Sequence, residues 1–329
     1  MRVDGLRSYR WACGLWAGVA AAACTVPPLV APTSAASQPQ RYWLSPLAAA
    51  QSRAPNDIER SALLYVAESG WNTDVFSYPS GELKGRLDGF GAPRGLCVDR
   101  SGNVFVTDLL RSATFEYAHG SAEPKLILED KPYSKPNDCS IDPITGNLAV
   151  AHVADYNLGI AIYRHARGAP KFYSDPNFYE YFNCGYDPFG NLFIDGLDHS
   201  LAFLAAELPK ASSSFIDLTF RRLPRFSYSG GIKWDGKYVA IDNLDGSTIY
   251  QVRVRGAVAT VVGSTRLANG AESGEFWFPG LKFGENGRQA ARVIATGAGV
   301  SYWNYPSGGL PTKTIPVGGE GVTVSPPQR

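Results

Sequence analysis

Histidine and methionine are nearly missing: the 329 residues hold four His, and the one Met is Met1. That scarcity sets His-rich metal chemistry aside. Charge is thin as well, with 19% of residues Asp, Glu, Lys or Arg and a net charge of +1. Such a balance lacks the broad positive footprint that nucleic-acid binding needs, so no nucleic-acid partner is expected. No apolar run reaches the roughly 18 residues of a membrane-spanning helix. Gly-x-Ser-x-Gly, His-Glu-x-x-His, the Walker loop and the dinucleotide fingerprint are all absent from the sequence. A serine hydrolase or nucleotide-hydrolysing reading therefore has no starting point.

What is present is apolar, aromatic and turn-rich. Hydrophobic residues make up 44%, with 35 Gly, 23 Pro, 17 Tyr and 16 Phe. This is a globular profile with enough chain for a large core.

The N-terminus reads as an address. Arg2, Arg7 and Arg10 precede an apolar run from Trp11 to Ala23, which suits the h-region of an export signal. The run ends in Ala21-Ala22-Ala23-Cys24, which resembles a bacterial lipobox with Ala where Leu is usual. Two readings stand: lipidation at Cys24, or plain cleavage near Ser34-Ala35-Ala36. Either makes the protein extracytoplasmic, secreted or membrane-anchored. Without residues 1–23 the chain carries 28 basic and 29 acidic residues. Residues 1–36 are assigned to the signal, 37–57 to a flexible linker and 58–329 to the folded domain. Trp43 and Leu44 are candidates to pack back onto that domain. Beyond Cys13 and Cys24 the chain has Cys97, Cys139 and Cys184, an odd number. The expectation is three small buried residues with no required bridge.

Self-similarity is the main feature. Gly95-Leu-Cys-Val-Asp-Arg-Ser-Gly-Asn-Val-Phe-Val-Thr-Asp108 has relatives starting at Asp138, Asn183, Gly231 and, faintly, Gly280. The turn glycines Gly102, Gly146, Gly190, Gly236 and Gly287 are spaced by 44, 44, 46 and 51 residues. Each unit reads as an apolar strand, a tight turn and a second strand, with two more strands before the next unit. Four strands in about 44 residues is the habit of a propeller blade. Six such blades fill residues 58–329. The first unit, Ser61–Glu68, is a second strand without a first, and Glu320–Ser325 is a first strand without a second. The expected fold is all-β: a six-bladed propeller of four-stranded antiparallel blades, closed by the C-terminal strand completing the N-terminal blade. Phe76-Ser-Tyr-Pro-Ser-Gly81 also matches Trp303-Asn-Tyr-Pro-Ser-Gly308, both where a third strand should turn into a fourth.

The phrase beginning Gly95-Leu-Cys-Val-Asp resembles the NHL repeat, and residues 58–329 resemble the six-bladed propellers of the NHL and gluconolactonase-like group. That likeness speaks for the fold and leaves function open, since the same ring hosts lyases, lactonases and binding modules.

Propeller ligands commonly sit over the central channel, where the innermost strands begin. Those positions carry Arg94, Asn137 with Asp138, Asn183, Ser229, Pro279 and Glu320. The resemblance implies a divalent ion, such as Ca²⁺, held by Glu320, Asn137 and Asn183. The family's further acid, which also serves as catalytic base, belongs in blade 5. There this chain reads Tyr228-Ser229-Gly230, without an acid. Structural roles compete at each position. Asn137 and Asn183 can bond turn backbone, Glu320 can be a solvated acid, and Arg94 can serve blade-edge carbonyls or grip an anion. Asp108, His152, Asp195 and Asp242 end second strands and are expected to stabilise turns. The cluster Phe172, Tyr173, Phe178, Tyr179, Tyr181 and Phe182 suits blade packing or, through Tyr179 and Tyr181, stacking on a sugar or peptide. His119, His165 and His199 fall at scattered repeat positions, against an NHL-type zinc lyase.

The function expected from these residues is a monomeric, non-enzymatic binding module for a protein, peptide or glycan. The alternative is a metal-dependent lactonase or esterase.

Overall fold

Short runs of branched and aromatic residues between glycine turns form 25 strands among the described residues. The computed structural model describes residues 60–130, 134–153, 158–222, 226, 228–270, 274–282, 287–297 and 299–327. The expected signal, Cys24, Trp43, Leu44 and the linker lie outside the described residues.

Six sheets form six blades. Blade 1 holds β1 (Leu63–Ala67), β2 (Asn72–Ser77) and β3 (Leu83–Asp88). Blade 2 holds β4 (Pro93–Val98), β5 (Val104–Asp108), β6 (Ala113–Tyr117) and β7 (Pro124–Glu129). Blade 3 holds β8 (Pro136–Ile141), β9 (Leu148–His152), β10 (Ile160–Tyr163) and β11 (Lys171–Tyr173). Blade 4 holds β12 (Phe178–Tyr186), β13 (Leu192–Asp198), β14 (Phe203–Leu208) and β15 (Ile216–Asp217). Blade 5 holds β16 (Thr219–Arg221), β17 (Ser229–Trp234), β18 (Val239–Asn243), β19 (Thr248–Arg255) and β20 (Val258–Arg266). Blade 6 holds β21 (Phe276–Trp277), β22 (Arg292–Ala295), β23 (Val300–Asn304) and β24 (Lys313–Ile315). The last strand, β25 (Gly321–Ser325), pairs antiparallel with β1, Ala67 opposite Gly321, so the C-terminal strand completes the N-terminal blade.

The repeat explains the local geometry. All five turn glycines have φ between +72° and +96°, the left-handed region that glycine enters at little cost. In the first four of these turns an Asp opens the turn and accepts its backbone N–H groups, as Asp99 does from Ser101 and Asn103. The two matching Tyr-Pro phrases form matching turns, each with a cis peptide bond before Pro79 and Pro306. One element departs from the expected four-strand plan. β16, in the connection from blade 4, lies parallel to β20 and covers the outer edge of blade 5.

The core lies between blades. Six buried clusters occur, one in each gap between neighbours. Strand periodicity explains this. In β1, Leu63, Tyr65 and Ala67 face blade 2, whereas Leu64 and Val66 face blade 6. Both faces are covered, so the strand is apolar throughout. Each fully buried large side chain contributes about 1.5–3 kcal/mol.

The cysteine expectation is corrected here: Cys97 and Cys139 form a disulfide, and Cys184 is buried and free. Cys97 stands one repeat position after Cys139 and Cys184. Alternate residues of a strand face opposite neighbours, so Cys97 looks forward into the gap before blade 3 while Cys139 looks back into it. Their Cα atoms are 5.7 Å apart, within disulfide reach. Cys184 looks back into the next gap, and the position matching Cys97 there is Ser140.

Candidate functional site

The inner strands β4, β8, β12, β17, β21 and β25 contact one another in ring order around a central channel. Each begins at the same face, termed here the upper face. A cavity of about 390 Å³ opens there. Its lining includes Arg94, Asn137, Asp138, Asn183, Ser229 and Glu320, which the repeat had placed at strand starts. Pro279 is not among them. The blade 6 position belongs to Glu275, because the inner strand is Phe276–Trp277 and the faint repeat at Gly280 is out of frame.

Each predicted side chain is already engaged. Arg94 forms an ion pair with Glu320 across the closure between blades 1 and 2. Asn137 donates its amide N–H to the carbonyl of Phe182 at 2.8 Å, tying blade 3 to blade 4. Asn183 donates to Oδ1 of Asp195 at 2.9 Å, and Ser229 donates to Oδ2 of the same carboxylate at 2.6 Å. The Asn residues therefore bond across blades and between strands rather than to their own turns.

Asp195 corrects the turn-stabilising expectation. Asp108 fits it, accepting from the backbone N–H groups of Gly91, Ala92, Leu110 and Arg111. Asp195, as fully buried as Asp108, instead accepts from the side chains of Asn183 and Ser229. Burial pushes its pKa up to about 7, against the pull of its hydrogen bonds to Ser229 and Asn183. Ser229, at the blade 5 position where the sequence has no acid, thus bonds a carboxylate held one blade earlier.

Two further residues escaped the sequence reading. Lys233, in β17, places Nζ 2.9 Å from both carboxylate oxygens of Asp138 and 3.2 Å from Oε1 of Glu275. Burial alone would lower the Lys233 pKa, but the Asp138 and then the Glu275 carboxylate outweigh it and raise it. Lys233 lines a smaller cavity of about 120 Å³ with Trp234 and Trp277, while Asp138 and Glu275 line the upper one. The triad lies between the two. The signal was available: the repeat puts Cys97, Ser140 and Gly185 where blade 5 has Lys233, so a long cation replaces small residues.

Tyr179 and Tyr181 are not brought to the cavity. Tyr181 is buried against Phe178, donates its hydroxyl to the carbonyl of Asp175 and accepts from the Asp175 N–H. Burial pushes its pKa up to about 12. Tyr179 is half-exposed and meets His199 edge-on. Phe182 from the same segment does line the cavity, with Tyr228, their rings 6.4 Å apart.

The expected ion ligands fit a divalent cation poorly as arranged. The single carboxylate among them, Glu320, is neutralised by the Arg94 guanidinium. Among the described residues no group of three or more His, Cys, Asp and Glu side chains is placed to hold a metal. A lactonase would also need a general base at blade 5, where Ser229 stands.

Large apolar side chains frame this face. Trp71, Leu110 and Leu201 occupy connections after second strands, which end at the upper face, and are 67%, 67% and 60% exposed. Tyr228, at the cavity, is 49% exposed. No described helix is long and apolar enough to cross a membrane.

No protein-family model matches the chain. A segment of 109 residues, 31% of the chain, is 39% identical to peptidyl-glycine alpha-amidating monooxygenase A of Xenopus laevis and 32% identical to the B form. The chain spans 11% and 12% of the length of these relatives. A chain from the crystal structure of a nidogen/laminin complex aligns with a TM-score of 0.63, 11% identity and coverage of 82% of this chain and 100% of that one. A functionally unknown protein from Desulfotomaculum acetoxidans DSM 771 aligns at 0.55, with 13% identity over 80% of this chain and 99% of that one. At such identities the likeness is one of fold alone.

Proposed function

We propose that this is an exported binding propeller whose upper face docks a protein partner, with a polypeptide segment of that partner reaching into the channel mouth. One observation carries the reading. A cavity of about 390 Å³, lined by polar Arg94, Asn137 and Ser229 together with apolar Leu109, Phe182 and Leu244, opens on the face that also carries exposed Trp71, Leu110, Leu201 and Tyr228. A recess of mixed polar and apolar side chains on a face that bears exposed Trp, Tyr and Leu has the composition of a protein-recognition surface. The nidogen/laminin complex is a protein assembly that contains a chain of this fold, which supports a protein ligand over a glycan.

Export rests on the N-terminal arginines and apolar run, with Cys24 as the lipid-attachment candidate. The Cys97–Cys139 disulfide supports an oxidising compartment.

The test is an array of short random-sequence peptides probed with the purified protein. Reproducible binding that weakens in Tyr228→Ala and Trp71→Ala is expected. A blank array with folded protein counts against the reading.

A further inference from the structure

The channel has a second mouth where the inner strands end, termed here the lower mouth. Val98, Ile141, Tyr186, Trp234 and Trp277 are the last residues of β4, β8, β12, β17 and β21, and all five line the smaller cavity of about 120 Å³. The strand end is therefore aliphatic in blades 2 and 3 and aromatic in blades 4, 5 and 6. Phe278, one residue beyond β21, adds a further ring. Pro143 and Pro188, each directly after a turn-opening Asp, line the cavity from blades 3 and 4. Trp234 and Trp277 are only half-buried, so two of the largest apolar side chains in the chain border an unfilled space.

Size and charge narrow what fits. An apolar protein cavity of about 150 Å³ takes up benzene, so a space of this order holds one ring. The charged groups at the walls are already spent. Lys233 borders the cavity, but its ammonium is held by Asp138 and Glu275. Asp187 accepts from the backbone N–H groups of Phe189 and Asn191 and from the Asn191 side chain. Lys282 is exposed and keeps its charge in water at the rim. A charged ligand would lose its water there without gaining a partner. Ser140 is the neutral polar group. Its Oγ accepts from the Tyr186 N–H at 3.0 Å and, as a hydroxyl, still has a proton to donate.

We infer that the lower mouth binds an uncharged single-ring aromatic molecule, with the aromatic strand ends of blades 5 and 6 on one side and Pro143 and Pro188 on the other. The site lies at the opposite end of the channel from the upper face and does not depend on the docking reading. The lining selects an aromatic ring over an aliphatic one. Trp234, Trp277 and Phe278 offer edge and face contacts that are worth more than the area they bury. An oxygen substituent on the ring can accept from the Ser140 hydroxyl.

The test titrates the purified protein with phenol, cyclohexanol, benzoate and benzylammonium and follows tryptophan emission, to which Trp234 and Trp277 contribute. Phenol should give a saturable change. Cyclohexanol, which keeps the hydroxyl and loses the aromatic ring, should bind about three- to tenfold more weakly. Benzoate and benzylammonium should each bind about tenfold or more weakly than phenol. Ser140→Met puts a longer side chain into the cavity. With its fold checked by thermal melting, it should lose about tenfold or more in phenol affinity. Should Ser140→Met fail to fold, the order of the four compounds decides the matter with the unmodified protein. The assignment is overturned by phenol without a saturable response, by cyclohexanol or a charged compound binding as tightly as phenol, or by a folded Ser140→Met that binds undiminished. None of these outcomes bears on the upper face, whose reading stands or falls with the peptide array.

Discussion

Ser229 donates a hydrogen bond from its hydroxyl to Asp195 across 2.6 Å, joining the start of the blade 5 inner strand to a buried carboxylate of blade 4. Burial, against the pull of that bond, makes Asp195 a pH-dependent element behind the channel mouth. Its pKa is 3.8 in model peptides and about 7 in the fold, where burial penalises the charge. As pH rises through 3.8 the unfolded chain releases this proton while the folded chain keeps it. Stability therefore falls between about pH 4 and pH 7 and levels off above. The loss is at most a few kcal/mol, since a pKa unit corresponds to about 1.4 kcal/mol. Urea unfolding from pH 4 to 8 should show that decline, and Asp195→Asn should flatten part of it. Glu275 and other carboxylates raised by burial, Asp187 and Glu207 among them, keep the rest. Identical slopes for the variant and the parent protein would exclude this role for Asp195.

Lys233 holds two carboxylates in the channel, and removing it leaves both uncompensated. Lys233→Met should cost about 3–5 kcal/mol in urea unfolding, as expected for breaking a buried ion pair from one side. A cost below about 1 kcal/mol would mean that the two carboxylates do not need the ammonium.

The ring itself was legible because its signals are local and repeated. Gly102 and its four successors fixed the turns, and Glu320–Ser325 completed a blade whose first strand was missing. The channel positions Arg94, Asn137, Asn183, Ser229 and Glu320 followed from their place before or early in each inner strand. What those side chains bond was not legible. The Arg94–Glu320 pair joins residues 226 positions apart in sequence, and Asn137 reaches the main chain of another blade. Glu275 was missed because blade 6 has lost its repeat phrase, and a frame error of a few residues put Pro279 in its place. Tyr181 shows the opposite failure: an aromatic loop invites a binding role, and only packing reveals that the ring is sealed inside.

The disulfide was missed by counting cysteines instead of placing them. Cys97 and Cys139 face one gap from opposite sides because they differ by one repeat position, and the loop they close spans 42 residues. Replacing both by Ala should cost about 2–4 kcal/mol, with dithiothreitol producing the same loss in the unmodified protein. A midpoint insensitive to reductant would show that the inter-blade packing suffices alone.

Calcium offers a direct trial of the ion reading. With Glu320 held by Arg94, adding Ca²⁺ or EDTA should leave the melting temperature unchanged. A bound ion at one hundred times its dissociation constant would add about 2.7 kcal/mol, a readily visible shift. A shift that vanished in Glu320→Ala and Asn137→Ala would make the upper mouth a cation site and return the lactonase alternative to consideration.

Trp71 carries the plainest conflict between stability and use. It holds φ +71° at an exposed turn, where a bulky side chain is strained and glycine is not. Two-thirds of its surface is exposed, so packing returns little for that strain. Trp71→Gly should therefore raise stability by about 1 kcal/mol, the left-handed penalty less the added freedom of the unfolded chain. The same change should weaken peptide binding at the upper face, because the rim loses its largest apolar side chain. Chemical denaturation and the peptide array measure the two effects separately. A variant that gains stability and binds undiminished would take Trp71 out of the docking surface, leaving the strain at this turn without a functional account.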